Sequence, residues 1–176
     1  MEAAETQSLL IITGSMGSGK TAVLGEASDI LTLRGIPHAA IDLDMLGMAH
    51  LPGPAENDAV MYRNLNVVWQ NYVPLGVDRL LLARAIENHA DLERCVAVVG
   101  GKKEKVVVCR LVASIETMQQ RVGLRELGVC RDKYLARVKT LNAALDQARL
   151  ENFLISNQGR SLTEVAREVL ERARWL

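Results

Sequence analysis

An eight-residue segment near the start of the chain carries the clearest chemistry in the sequence. It matches the pattern GxxxxGK[ST] in full, and its residues are Gly14, Ser15, Met16, Gly17, Ser18, Gly19, Lys20 and Thr21. Glycines let the backbone bend until several N–H groups converge on phosphate oxygens. The Lys20 amine would then neutralise the β- and γ-phosphates, and the Thr21 hydroxyl would bind magnesium. We term this segment the phosphate loop and expect it to bind ATP with Mg²⁺.

Predicted strands and helices alternate around this loop. The apolar run Ser8–Thr13 predicts a buried strand before it, and Lys20–Arg34 predicts a helix whose positive end faces the bound phosphates. Further predicted strands are Ala39–Leu43, Val77–Ala83, Lys105–Val112 and Asn152–Ser156. Further predicted helices are Ala59–Val73, Ser114–Glu126, Asp132–Leu150 and a last one that starts at a capping box of Ser161 and Glu164.

One of these elements is ambiguous. Val77–Ala83 could form a strand that leads into a helix through Glu87, or Asp78–His89 could form a single helix. The alternation elsewhere predicts one three-layer α/β domain over residues 1–176, with a mostly parallel sheet between helices. Ligands bind such sheets beyond the carboxyl ends of the strands, which is where the phosphate loop is expected to lie.

The charge balance argues against several classes of function. Lysine plus arginine and aspartate plus glutamate number 21 each, whereas partners such as nucleic acids and anionic membranes usually require a surplus of positive charge. Cys95, Cys109 and Cys130 are too scattered for a disulfide framework or a metal pair and are expected to be reduced thiols. Residues 1–8 do not resemble a secretory signal, and no apolar run could span a membrane, so a cytoplasmic location is expected.

With its complete phosphate loop and this layout, the chain resembles the small P-loop kinases. This group includes nucleoside-monophosphate, shikimate, gluconate and adenylylsulfate kinases. Only the phosphate loop is specific at the level of residues, and the rest of the resemblance lies in the layout. The resemblance implies a five-stranded sheet ordered 2-3-1-4-5, with ATP and Mg²⁺ as cofactors. It also implies an acceptor-binding segment at about residues 45–75 and a short lid at about 121–131.

Two acids follow the second predicted strand. Asp42 and Asp44 are two residues apart, and side chains at this spacing on a strand point to the same face, so both could reach one site. The resemblance implies that such a pair holds the acceptor hydroxyl and the magnesium ion. Asp44 is then the expected general base or acceptor anchor, and Asp42 lies nearer the metal that Thr21 binds. The alternative is that one of the two acids only caps a helix.

The resemblance also implicates two later groups of residues. Arg121 and Arg125 are four residues apart on one predicted helix face, where similar kinases place arginines that stabilise charge on the transferring phosphoryl group. Asn157 and Gly159 follow the last predicted strand, where related kinases pass the adenine ring. The alternatives are an exposed basic helix face and a plain turn.

No sequence motif identifies the phosphoryl acceptor. The acid that many NTPases carry after the third strand is absent, and Arg84 follows Leu80–Ala83 instead, which argues against helicase-type enzymes. Trp69 could stack on an acceptor ring, although a buried core position is favoured. The segment Pro52-Gly53-Pro54 predicts a loop in this region.

Together these features favour a phosphotransferase that moves the γ-phosphoryl group of ATP·Mg to a small-molecule acceptor. The acceptor could be a nucleoside, a nucleotide, a sugar-like metabolite or an antibiotic. The expected catalytic residues are Lys20, Asp44, Arg121 and Arg125. The chain is expected to act as a monomer or homodimer without nucleic-acid or membrane partners. Two alternatives stay open: a regulatory nucleotide-binding protein without transfer activity, and an NTPase.

Overall fold

The computed structural model describes residues 7–52, 57–98, 100 and 103–176, and these residues contain a five-stranded sheet. The strands are β1 Ser8–Gly14, β2 Ala39–Asp42, β3 Arg79–Ala83, β4 Val106–Val112 and β5 Phe153–Ser156. They lie in the order β2-β3-β1-β4-β5, and every neighbouring pair is parallel. The predicted α/β class and the strand order are therefore confirmed.

Seven helices flank the sheet within the described part of the chain. They are α1 Lys20–Leu33, α2 Leu43–Leu46, α3 Asn57–Tyr72, α4 His89–Val98, α5 Ile115–Arg125, α6 Arg131–Ala148 and α7 Leu162–Arg172. Helices α1 and α7 share one buried cluster with the sheet, and α3 and α4 share a second. The two clusters lie on opposite faces of the sheet, which gives the three layers that the alternating sequence predicts.

The central strand β1 supplies side chains to both clusters. Leu10 and Ile12 pack with α1 and α7, whereas Leu9 and Ile11 pack with α3 and α4. All four side chains are at most 1% exposed, so the strand appears in the sequence as a continuous apolar run instead of an alternating one. The packing on both faces fixes the end of β1, and the phosphate loop begins there.

The ambiguous third element is a strand. β3 pairs in parallel with β1 and β2, so a single helix over Asp78–His89 is wrong. The predicted helix through Glu87 is also wrong. After Ala83 the chain runs along the carboxyl edge of the sheet, where the Ile86 amide donates to Thr13 Oγ1 at 2.9 Å. The next helix is α4, which the sequence analysis did not predict.

Most other predicted elements are confirmed, with ends that differ by one or two residues. The capping box of Ser161 and Glu164 is present at the start of α7. Trp69 is completely buried and donates to Gln7 at 3.1 Å, so it belongs to the core. The predicted loop at Pro52-Gly53-Pro54 lies partly outside the described residues.

Among the residues that the structure describes, no helix combines the length and the apolar character needed to cross a membrane.

Candidate functional site

The backbone of the phosphate loop strongly favours glycine at Gly17 and Gly19. Gly17 and Gly19 have φ values of 77° and 91°, in the left-handed region. A Cβ atom on Gly17 would also overlap the carbonyl oxygen of Met118 on α5. Gly19 is the N-cap residue of α1, so the loop passes directly into the helix end that favours anions.

Three neighbouring segments hold the loop in this shape. On one side, Ser15 Oγ donates to the Val138 carbonyl oxygen on α6 at 2.8 Å, and this contact is buried. On the other side, the Asn157 amide donates to the Ser18 carbonyl oxygen. Arg121 donates to the Gly17 carbonyl oxygen at 3.2 Å and to Asn157 Oδ1 at 3.0 Å. The loop is therefore braced from α6, from α5 and from the segment after β5.

The Lys20 amine lies inside the curve of the loop. Its Nζ donates to the carbonyl oxygens of Gly14 at 3.0 Å and Ser15 at 3.1 Å. Burial lowers the pKa of Lys20 from its usual value, and the carboxylates of Asp44 and Asp42 oppose this shift. A phosphate group would supply an anionic partner for this partly buried cation.

Thr21 and Asp42 form a pair of oxygen ligands beside the loop. The Thr21 hydroxyl donates to Asp42 Oδ2 at 2.6 Å, and Asp42 Oδ1 accepts from the Asp44 amide at 3.1 Å. Hydroxyl and carboxylate oxygens suit Mg²⁺, which usually keeps water and substrate phosphates as its other ligands. Among the described residues, no cluster of three or more His, Cys, Asp or Glu side chains could hold a metal.

The acidic pair reaches the site by a different route from the one that the sequence predicts. β2 ends at Asp42, and Asp44 lies in the first turn of α2, so the two acids do not share a strand face. Asp42 is the N-cap of α2 and bonds Thr21 at the same time. The helix-cap alternative therefore describes Asp42, which also lies beside Thr21, and its contact with magnesium stays a prediction.

Arg84 is a site residue whose role the sequence analysis did not identify. It follows β3, and its Nη1 lies 2.5 Å from Asp44 Oδ1 while its Nη2 lies 3.5 Å from Asp58 Oδ1 on α3. Its side chain is only 20% exposed, and its Nε has no hydrogen-bond partner among the described residues. Arg84 thus fixes one oxygen of Asp44. The only signal in the sequence was a basic residue at a strand end where an acid is usual.

A cavity of about 450 Å³ opens above the loop. Its lining residues are Met16, Gly17, Gly19, Lys20, Thr21, Ala22, Asp44 and Arg125. The structure therefore brings Lys20, Asp44 and Arg125 together around one space. The Arg125 side chain is 60% exposed and pairs with Glu126 at 2.8 Å.

Seven of the expected site residues lie outside the lining of this cavity: Gly14, Ser15, Ser18, Asp42, Arg121, Asn157 and Gly159. Arg121 and Asn157 bond the back of the loop, as described above, and Asn157 is only 9% exposed. Gly159 lies in the turn after β5 with a φ of 69°. The expected contacts of these last three residues with the phosphoryl group and the adenine ring stay predictions.

No protein-family model matches the sequence, and no curated protein matches it in a sequence comparison. Solved structures match the fold over almost the whole chain. A gluconokinase from Sinorhizobium meliloti 1021 is 17% identical, with a TM-score of 0.60 over 97% of this chain and 93% of that one. A shikimate kinase from Acinetobacter baumannii, in complex with shikimate, is 17% identical, with a TM-score of 0.61 over 97% and 95%.

A third similar structure is a tunicamycin resistance protein from Deinococcus radiodurans. It is 15% identical, with a TM-score of 0.65 over 94% of this chain and 95% of that one. Identities at this level show a shared fold alone. The chain therefore has the fold of the small P-loop kinases.

Proposed function

We propose that the protein is a phosphotransferase that moves the γ-phosphoryl group of ATP to a hydroxyl group of a small molecule. The observation that carries this proposal is the cavity of about 450 Å³ that Lys20, Asp44 and Arg125 line together. A cation for the phosphates and a carboxylate for the acceptor are the two groups that such a transfer requires. The kinase fold of the similar structures supports the same reaction class.

The donor side of the site would hold the phosphates of ATP. The loop amides and Lys20 would bind the β- and γ-phosphates, and Arg121 would act as a positioning residue because it bonds the Gly17 carbonyl oxygen. Thr21 and Asp42 would hold Mg²⁺, which neutralises charge on the phosphates when it is bound. We assign Arg125 to the short lid, where it would offset charge on the phosphoryl group during transfer.

The acceptor side of the site would centre on Asp44. The acceptor hydroxyl oxygen forms a bond to the γ-phosphorus while the bond from that phosphorus to the β–γ bridging oxygen breaks. ADP leaves with the electron pair of the broken bond between the γ-phosphorus and the bridging oxygen. The hydroxyl proton passes to Asp44 Oδ2, the oxygen that Arg84 does not bond. We further propose that residues 45–75 contribute to acceptor binding.

One observation favours a second function. The contact of 2.5 Å between Arg84 and Asp44 holds the proposed base in an ion pair. That contact occupies one oxygen of the carboxylate that the transfer would use as its base. A nucleotide-binding switch without transfer activity is consistent with that pairing, and the experiment below distinguishes the two functions.

The test compares three variants in two assays: calorimetric binding of a non-hydrolysable ATP analogue, and transfer of label from [γ-³²P]ATP to a panel of hydroxyl acceptors. Lys20→Ala should weaken analogue binding at least about tenfold, because a charge-assisted contact is lost. Asp44→Asn should bind the analogue like the wild type and lose about 100-fold or more of transfer. Asp29→Asn, an exposed change on α1, is the matched control and should behave as the wild type.

Two outcomes would count against the proposal. Unchanged analogue binding by Lys20→Ala would remove the phosphate loop from nucleotide binding. Analogue binding by the wild type without a labelled product from any acceptor would favour the switch.

A further inference from the structure

A second cavity, of about 460 Å³, lies beside the phosphate loop against helix α6. Its lining residues are Met16, Lys133, Tyr134, Ala136, Arg137 and Thr140. Positions 133, 136, 137 and 140 recur at the spacing of one helix face, so a single side of α6 forms most of the wall. We term this space the α6 cavity.

Met16 lines both the α6 cavity and the cavity above the phosphate loop, which we term the nucleotide cavity. It also packs against the buried cluster of Met118, Val122 and Val138. The two cavities are therefore neighbours that share one residue of the phosphate loop.

The α6 cavity lies at the end of the loop where the terminal phosphate is expected. The Lys20 amine, which would bind the β- and γ-phosphates, bonds the carbonyl oxygens of Gly14 and Ser15, immediately before Met16. α6 is fixed to the same end through Ser15 and Val138. The segment after β5 instead meets the loop at Ser18, through Asn157. The α6 cavity, which Met16 lines, is thus separated along the loop from Ser18, where the segment expected to contact adenine is bound.

The chemistry of the α6 cavity is mixed. Met16, Tyr134 and Ala136 present mainly carbon atoms. Arg137 is bound by both oxygens of Glu87, at 2.5 and 2.6 Å, so its charge is balanced. Lys133 is exposed and forms no ion pair with any residue that the structure describes. The cavity therefore offers an apolar wall with one uncompensated positive charge at its edge.

We propose that the α6 cavity is the acceptor pocket, and that the acceptor is a hydroxylated molecule with an apolar ring and an anionic group. The ring lies against Met16, Tyr134 and Ala136, and the anionic group faces Lys133. The hydroxyl group passes Met16 into the nucleotide cavity and receives the phosphoryl group there. This inference rests on the proposed function for the transfer step, while binding in the cavity can be measured without it.

The binding test uses ring-containing hydroxy acids, each paired with its neutral amide; hydroxymethylbenzoate and hydroxymethylbenzamide are one such pair. Each is titrated into protein with ¹³C-labelled methionine methyl groups and a bound non-hydrolysable ATP analogue. The Met16 methyl resonance, assigned with Met16→Leu, reports on the cavity. At least one acid should shift it saturably and bind more tightly than its amide.

Matched variants test whether the acid binds in the α6 cavity and whether its negative charge contributes to binding. Ala136→Trp should fill the cavity and weaken acid binding at least about tenfold, because the ring loses the wall that it lies against. Ala143→Trp, about 10 Å along the same helix, should bind like the wild type. Lys133→Gln should weaken acid binding up to about fivefold and leave amide binding unchanged, whereas Lys139→Gln should change neither.

The outcomes separate this inference from the proposed function. If no acid shifts the Met16 resonance, or if Ala136→Trp binds and turns over acids like the wild type, the α6 cavity is not the acceptor pocket. If the amides bind more tightly than the acids, the proposal that the acceptor carries an anionic group is wrong. If acids bind as expected but none receives label from [γ-³²P]ATP, the cavity assignment stands and the proposed transfer fails.

Discussion

At the end of β3, Arg84 lies between two acids that come from different helices. It contacts Asp44 on α2 at 2.5 Å and Asp58 on α3 at 3.5 Å. Asp44 and Asp58 are both more than half exposed, so neither would be held in place by packing alone. Arg84 is therefore a positioning residue for Asp44, and it links the proposed base to the proposed acceptor segment.

Replacing Arg84 tests that role. Arg84→Met should lower kcat for phosphoryl transfer about tenfold, because Asp44 loses the contact that orients it, while binding of a non-hydrolysable ATP analogue stays within about twofold. Arg84→Lys should recover part of the rate. An unchanged kcat in Arg84→Met would exclude the positioning role.

Lys20 gives a prediction about pH. Burial lowers its pKa in the free protein, and bound phosphates would raise the pKa again because they favour the charged amine. Between the two pKa values, nucleotide binding should take up a proton, and affinity should fall as pH rises, by at most about tenfold per unit. Calorimetry of the ATP analogue in buffers of different ionisation enthalpy measures the uptake.

The matched control for this proton uptake is Lys20→Arg. An arginine stays protonated over the whole range, so the uptake should disappear. Proton release on binding by the wild type, or an affinity independent of pH up to pH 10, would contradict the assignment of Lys20.

At the scale of elements, the phosphate loop depends on close packing between segments that are distant in sequence. Gly17 approaches the carbonyl oxygen of Met118 so closely that no side chain fits between them, and its φ of 77° disfavours other residues. Helix α5 thereby sets the shape of a loop about 100 residues earlier in the chain.

A pair of glycine substitutions separates this constraint from a general effect of alanine. Gly17→Ala should lower affinity for the ATP analogue at least about tenfold, because the loop must move away from α5. Gly25→Ala, on α1 with open space around the new methyl group, should raise the unfolding free energy by up to about 1 kcal/mol and leave affinity unchanged. Calorimetry and thermal unfolding provide the two readouts. Equal affinities for the two variants would show that the loop tolerates a side chain.

Parts of the site could be predicted from the sequence because they depend on local chemistry. The phosphate loop, the order of elements around it and the cap at Ser161 all follow from residues close together in the chain. The partnership of Arg84 with Asp44 could not be predicted, since it joins residues 40 positions apart. The end of β2 at Asp42 was missed because the acid caps a helix of only four residues, which leaves no periodic pattern.

At the scale of the whole molecule, the parallel sheet brings the chemistry to one edge. β1 ends at Gly14, where the phosphate loop begins. β2 ends at Asp42, two residues before Asp44, and β3 ends at Ala83, directly before Arg84. The α6 cavity shares Met16 with the nucleotide cavity at this edge. We propose for the molecule as a whole that this edge transfers a phosphoryl group from ATP to an organic hydroxyl.

The most direct test of that claim is ³¹P NMR of the protein with ATP, Mg²⁺ and the panel of hydroxyl acceptors. We expect a new phosphate monoester resonance that grows as ADP forms. This resonance should be absent with Lys20→Ala, and with Asp44→Asn it should grow about 100-fold or more slowly. A wild-type protein that forms ADP and inorganic phosphate at the same rate with and without every acceptor, and never a monoester, would contradict it.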